Sequence, residues 1–425
     1  MLREVKAMLW RASAVSLGAA LPLVLVGRMV MTVLLALGII LGVLATKGES
    51  IRATVRLLLD SWLVLLILAF LGAMLASSSL GVVPAVSFDK WLQIDGIILA
   101  SGFLFFVLRE MPGAYVDKMM KALAVATYAM AALAVLDALT GYERLAIALH
   151  DADKISSAYR LNFFSSVLVV VLPLVWSRLL VKAREFEPFA VRILWPAVGF
   201  GMFALVVSGG RAGWVAAAIS FTMFWFLVAR FHQVVLHARH WLGAALWGVL
   251  AFVGYGFANG WQFMMARVGL VEEGGRGALS GRLDIWTQVI TWIPENWLMG
   301  IGPMGYRYVP GALDAHPHSW LLQMLLEVGV VGTLLFTAVA GVVWLRLWAL
   351  SRAGIYGVGA LCSLTAFLIA GLANTSIFNA WWLAFLPVIS LIGWRVAWAP
   401  KDGRRKGRSS RVLKRSSLLS GGHGA

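Results

Sequence analysis

"ASAVSLGAALPLVLVGRMVMTVLLALGIILGVLA", residues 12–45, carries a single charge, Arg28. A cleaved leader would show a basic head, an apolar core and then a small-residue cleavage site. Arg3 and Lys6 supply the head, but no cleavage site stands out, and the apolar run passes through Gly27–Arg28 straight into a second one. The stretch reads as a retained hairpin of two membrane-crossing helices, which makes the chain a membrane protein from its first residues.

Composition agrees. Of the 425 residues, 61% are hydrophobic and 13% charged, and mean hydropathy is +0.85. A soluble domain carries about a quarter charged residues, so most of this surface must face lipid. The single cysteine, Cys362, excludes an intrachain disulfide and a thiolate cluster. Apolar runs near the ~20 residues a bilayer requires fall at 12–27, 29–46, 57–77, 92–108, 119–139, 163–178, 193–209, 212–229, 241–258, 319–345, 355–372 and 381–398. The expected fold is all-α, with about twelve transmembrane helices.

The net charge of +16 would suggest nucleic acid on a soluble face. Here 26 of the 36 Lys/Arg fall on the termini and alternate loops, among them Lys47, Arg52, Lys118, Lys121, Lys182 and Arg192. That asymmetry marks their side, and both termini, as cytoplasmic; no nucleic-acid partner is expected. Residues 1–398 form one polytopic domain, and the Gly/Ser/Arg-rich 399–425 a basic disordered tail suited to anionic lipid.

On the other face the largest connection is 259–317, between the ninth and tenth runs. Long outer loops carry function. Within it Leu283, Trp286, Val289, Ile290 and Ile293 recur at helical spacing, with Ser280 as cap and Pro294 as stop, which predicts a short amphipathic helix lying on the membrane surface. Arg282 opens this helix, where the dipole disfavours a cation; a cation at a helix N-terminus suits a phosphate. Arg211 is pinned in "SGGRAG", a tight turn at the membrane boundary, where a charge is costly unless an anion meets it. Arg160 opens the sixth span on the same face; Arg28, Lys90 and Arg144 read as solvated anchors.

"HPHSWLLQMLLE", residues 316–327, starts the tenth run. Pro317 fits the first position of a helix, which makes His316 the cap and sets His318 in the first turn. There the positive helix end would keep His318 neutral and able to take a proton. Glu327 lies nine residues on, on the opposite helix face, and is expected to meet a neighbouring helix. A metal site needs more ligands; "HDAD" at 150–153 offers His150, Asp151 and Asp153, but the expectation is no metal and no cofactor. Asp60, Asp95 and Asp137 lie within spans, near their ends, which keeps a solute transporter as an alternative from a different class.

Taken in order, "SGGRAGW" (208–214), "SGRLDIW" (280–286), "PENWLMGIGPMGY" (294–306) and "HPHSWLLQMLLEVGVVG" (316–332) resemble the O-antigen ligase/polymerase superfamily. "RLDIW" fits that family's R-x-x-x-W, and "HSWLLQMLLEVG" its H-N/S-x-x-L-x-x-x-x-E-x-G, with Ser319 where asparagine is common. The resemblance implies a GT-C-like membrane enzyme with a periplasmic catalytic loop at 259–317. It implies metal-independent, inverting transfer of a glycan from undecaprenyl pyrophosphate to a lipid A–core hydroxyl in the bacterial inner membrane. His318 would be catalytic; Arg211, Arg282 and Arg160 would hold pyrophosphate, with His316 beside them. One large outer loop in a chain that ends soon after its twelfth span resembles the ligase more than the polymerase or the protein-glycan ligases.

Overall fold

A computed structural model describes residues 2–46, 54–58, 61–139, 157–185, 188–208, 210–234, 253 and 281–398. Its described elements are all helical. In chain order they are α1 (Leu2–Ala20), α2 (Arg28–Ala45), α3 (Trp62–Leu80), α4 (Pro84–Glu110), α5 (Gly113–Leu139) and α6 (Ser157–Arg184). They continue as α7 (Pro188–Val207), α8 (Arg211–His232), α9 (Arg282–Trp292), α10 (Trp320–Glu327), α11 (Gly329–Ala353), α12 (Ile355–Gly371) and α13 (Ala380–Trp398).

Eight of these, α2–α6, α8, α11 and α13, are long and apolar enough to cross a membrane. Helices are the expected solution, because lipid offers no partner to backbone N–H and C=O groups. α7 and α12 contribute shorter apolar stretches, Ile193–Val207 and Ile355–Gly371. The expected ninth run, 241–258, lies outside the described residues but for position 253. Large apolar side chains such as Leu68, Leu99, Phe103, Val125 and Phe226 stand exposed along the helices. A surface of that kind suits lipid, and the chain is a multi-pass membrane protein.

The centre is built from α6 and α12, which pack on each other and are buried along most of their lengths. Small residues let neighbours close up: Gly38 of α2 lies against Leu17 of α1, and Gly42 against Val107 of α4. One end of the bundle is cross-linked by polar contacts. Arg178 pairs with Asp117 at 2.5 Å, Arg395 donates to the Met111 carbonyl at 2.6 Å, and His232 Nε2 meets the Ser351 carbonyl at 2.8 Å. The turn between α3 and α4 lies at the other end, where the candidate site is built.

Two expectations need correction. The run 319–345 is not one span: it breaks at Val328–Gly329 into α10 and α11, and the span proper is Gly329–Ala353. The buried stripe of α9 is Ile285 and Val289, packed on Ile301, Tyr306 and Leu326, while Leu283 and Ile290 point outward. The helical spacing was legible, but both sides of α9 are apolar, and periodicity alone does not choose between them.

Candidate active site

The break between α10 and α11 is made by a second piece of chain. Ile301 N donates to the Leu326 carbonyl at 3.0 Å, Gly302 N to the Glu327 carbonyl at 2.9 Å, and Val330 N to the Trp297 carbonyl at 2.8 Å. The "MGIGPMG" loop thus takes over carbonyls that a continuous helix would have used. The approach is so close that only glycine fits. A Cβ on Gly329 would lie 2.2 Å from the Leu298 oxygen and one on Gly300 2.4 Å from the Glu327 carbonyl carbon, and both have positive φ. The same loop is tied to the α3–α4 turn: Val82 N donates to the Ile301 carbonyl and Ser87 Oγ to that of Pro303.

Glu327 is buried at this junction. Its carboxylate accepts the Met304 N–H at 2.8 Å, the Tyr306 N–H at 3.1 Å and Gln323 Nε2 at 2.9 Å. Its expected partner was a neighbouring helix; it holds the glycine-rich loop instead. Burial drives its carboxyl up to about 7, against the two backbone N–H groups that favour the charged form. Gln323 passes the network on, accepting the Ile377 N–H at 3.2 Å in the turn that follows α12.

That turn meets the histidines. His318 Nδ1 lies 2.7 Å from the carbonyl of Asn374, and Nε2 lies 3.2 Å from Asp314 Oδ2. A carbonyl only accepts, so Nδ1 carries a proton, and Nε2 is the ring nitrogen that faces the Asp314 carboxylate. Asn374 is anchored in turn by its side-chain bond to Ser166 of α6. His318 adopts φ +55°, a conformation rare for side chains other than glycine. Such strain is concentrated at functional sites.

Helix capping differs from expectation. Ser319 is the N-cap and Trp320 the first helical residue, so His318 and His316 both precede the helix and Pro317 is not at its first position. The His318 N–H reaches His316 Nδ1 at 3.3 Å, and the rings stand 4.1 Å apart. Burial pushes His316 down to about 4, with His318, Arg307 and Arg282 adding to the fall. His316 is therefore neutral; with Nδ1 accepting, its Nε2–H is the donor.

α9 holds the turn in place. The Trp286 indole donates to the Pro317 carbonyl at 3.0 Å. Gln288 bonds the Gly311 carbonyl at 2.7 Å while accepting from Tyr306 Oη and Leu313 N. Arg282 is the first residue of α9, one turn before Trp286, after Gly281 at φ +73° as cap; Ser280 lies outside the described residues. The R-x-x-x-W spacing thus places an arginine and the bond to the histidine turn on one short helix. Burial raises the Asp314 carboxyl, but the Ala315 N–H and the His318 ring outweigh it and hold it below its ordinary value.

Arg211 is the first residue of α8, and Arg160 lies in the first turn of α6. Their backbones are placed, while their side chains lie outside the described residues. Gly213 sits so close to α6 that a Cβ there would lie 2.8 Å from Ser165 Oγ, next to the Ser166 that bonds Asn374. Among the described residues no group of three His, Cys, Asp or Glu is placed to hold a metal; His150, Asp151 and Asp153 are not among them. Sequence reasoning passed over Asp314 and Asn374. The i, i+4 spacing of Asp314 and His318 was visible; the contact from Asn374, 56 residues on, was not.

Residues 196–337 match the family model described as O-antigen ligase. The match covers about a third of the chain, and over that stretch the chain is similar to this family. Arg211, Arg282, Trp286, His318 and Glu327 all fall within it, and Arg160 and Asn374 outside. A stretch of 117 residues is 25% identical to a candidate polysaccharide ligase of Rickettsia conorii, covering 24% of this chain. The chain spans 28% of the length of that relative.

Proposed function

We propose that the protein is an O-antigen ligase. In this reading it moves a polysaccharide from undecaprenyl pyrophosphate to a sugar hydroxyl of lipid A–core at the periplasmic face of the bacterial inner membrane. The layout is twelve spans with both termini cytoplasmic. The observation that carries the reading is the convergence on His318: its turn is bonded to α9, which begins with Arg282, and its ring to Asn374 and Asp314.

The acceptor hydroxyl oxygen attacks the anomeric carbon from the face opposite the pyrophosphate, which inverts the centre. The new C–O bond forms as the bond between the anomeric carbon and the bridging phosphate oxygen breaks, and that electron pair leaves on pyrophosphate. The hydroxyl proton passes to His318 Nε2, and the Asp314 carboxylate stabilises the imidazolium so formed. Arg282 at the start of α9, with Arg211 and Arg160, neutralises the leaving group, as guanidinium forks do well. His316, neutral, adds a hydrogen-bond donor and no charge. No metal or cofactor enters this scheme.

A deletion strain tests the assignment through its lipopolysaccharide. Bare core with accumulated long lipid-linked polymer supports ligation. Core bearing a single repeat unit assigns the chain to the polymerase, and an unchanged profile with lost solute uptake assigns it to transport.

A further inference from the structure

His318 stands on a loop, ahead of the helix that its turn leads into. A loop holds a reacting group less well than a helix does, unless neighbouring bonds lock it. Two side chains of its own segment meet the ring, His316 and the exposed Asp314. The contact from outside is the Asn374 carbonyl, 2.7 Å from Nδ1. A carbonyl orients a ring only as well as its own peptide is held. Asn374 belongs to the turn between α12 and α13, and that turn is tied at two points. Its side chain donates to Ser166, buried on α6 at the centre of the bundle. Three residues on, the Ile377 N–H bonds Gln323 Oε1 at 3.2 Å.

Gln323 is wholly buried, and its amide has one orientation that satisfies both neighbours. The oxygen must meet the Ile377 N–H, and the nitrogen donates to the Glu327 carboxylate at 2.9 Å. One side chain is thus committed at both ends, to the clamp on the glycine-rich loop and to the turn behind His318. A carboxylate in its place would face Glu327, and an apolar group would leave a buried N–H without its partner. A further tie between the same two pieces of chain runs from Ser376 Oγ to Met304 Sδ at 3.6 Å.

We infer that Ser166 and Gln323 are positioning residues of the proposed transfer, acting together through the Asn374 carbonyl that sets the His318 ring. The inference rests on His318 as the base of the proposed function. One anchor is on α6 and the other on α10, so the ring is held against two packed helices and not only by the loop that bears it. A base out of line lowers kcat and leaves KM unchanged, because the interaction lost is one made in the transition state.

The test uses the purified full-length chain in proteoliposomes, with Ser166→Ala and Gln323→Met, and Ser177→Ala as the control. Ser177 is also buried on α6 but donates to its own helix, at the Leu174 carbonyl. The ring is read by heteronuclear NMR of the chain isotope-labelled at histidine, the His318 Nδ1–H being assigned by its loss in His318→Ala. Bonded to a carbonyl, that proton should lie downfield and exchange slowly with water in wild type and in Ser177→Ala. In Ser166→Ala and Gln323→Met it is expected to exchange at least tenfold faster, with kcat down ~10-fold and KM for the lipid-linked donor within twofold. Ser166→Thr restores the hydroxyl and should recover the rate. Wild-type exchange and kcat in Ser166→Ala, or a lowered kcat with the Nδ1–H unaffected, overturns the inference. If Gln323→Met fails to fold, Ser166→Ala, the removal of one oxygen, decides. Exchange is read without substrate, so the two readings fail separately: transfer kept in His318→Ala removes the proposed chemistry and leaves the anchoring of the ring to the NMR result.

Discussion

The indole of Trp286 donates to the carbonyl of Pro317 at 3.0 Å, and this bond joins the helix that begins with Arg282 to the turn that presents His318. Trp286→Phe keeps the ring and removes the donor. A half-buried carbonyl without its partner costs about 1 kcal/mol, and the histidine turn loses its tether. Transfer is expected to fall ~10-fold, the low end of what misplacing a catalytic group costs. Steady-state transfer assays with a parallel thermal melt check this; full activity in Trp286→Phe contradicts it.

Asp314 faces the His318 ring nitrogen that the Asn374 carbonyl does not engage. Asp314→Asn is expected to lower kcat by ~10²-fold, in the range of a general acid–base contribution. KM for the lipid-linked donor should stay within twofold, and Asp314→Glu should recover part of the rate. A loss confined to KM would assign Asp314 to substrate binding instead.

Glu327 ties stability to pH. Its carboxyl is raised to about 7 in the folded chain, so folding gains from its proton at pH below the ordinary carboxylate value and loses that gain as pH rises through about 7. At 1.36 kcal/mol per unit the span is on the order of 3 kcal/mol. Melting temperature should therefore drop between pH 5 and 8, and Glu327→Gln should flatten that drop, as thermal melts across this range will read. His316, lowered to about 4, runs the other way: its contribution is complete above its ordinary value and fades as pH falls toward 4.

Two glycines of α11 separate the break from ordinary helix. Gly329→Ala forces a Cβ against the Leu298 carbonyl at positive φ and is expected to destabilise by roughly 3 kcal/mol or more. Gly341→Ala meets nothing within 4 Å and should stabilise by ~0.5–1 kcal/mol, the helix preference of alanine. Chemical denaturation of both variants in detergent distinguishes these outcomes.

The helices were legible because apolar runs in lipid have few other options. The break at Val328–Gly329 was not: "LLEVGVVG" keeps a helical apolar pattern, and the competing bonds come from Trp297, Ile301 and Gly302, 25 to 33 residues upstream of their partners. His318 was singled out from its neighbours in sequence, though its place before the cap was missed, since Pro317 suits several positions near a helix start. Asn374 carried no local signal, because its role lies in a backbone carbonyl whose position depends on Ser166 and Gln323. Composition and period locate spans; they do not report which backbone groups a loop from elsewhere will claim.

In the proposed reaction His318 accepts the proton of the attacking hydroxyl. The most direct measurement is transfer by the purified chain in proteoliposomes, supplied with undecaprenyl-pyrophosphate-linked polysaccharide and lipid A–core, comparing wild type with His318→Ala. A loss of at least ~10²-fold in kcat is expected, with donor binding retained. His318→Ala transferring polysaccharide at the wild-type rate would contradict it.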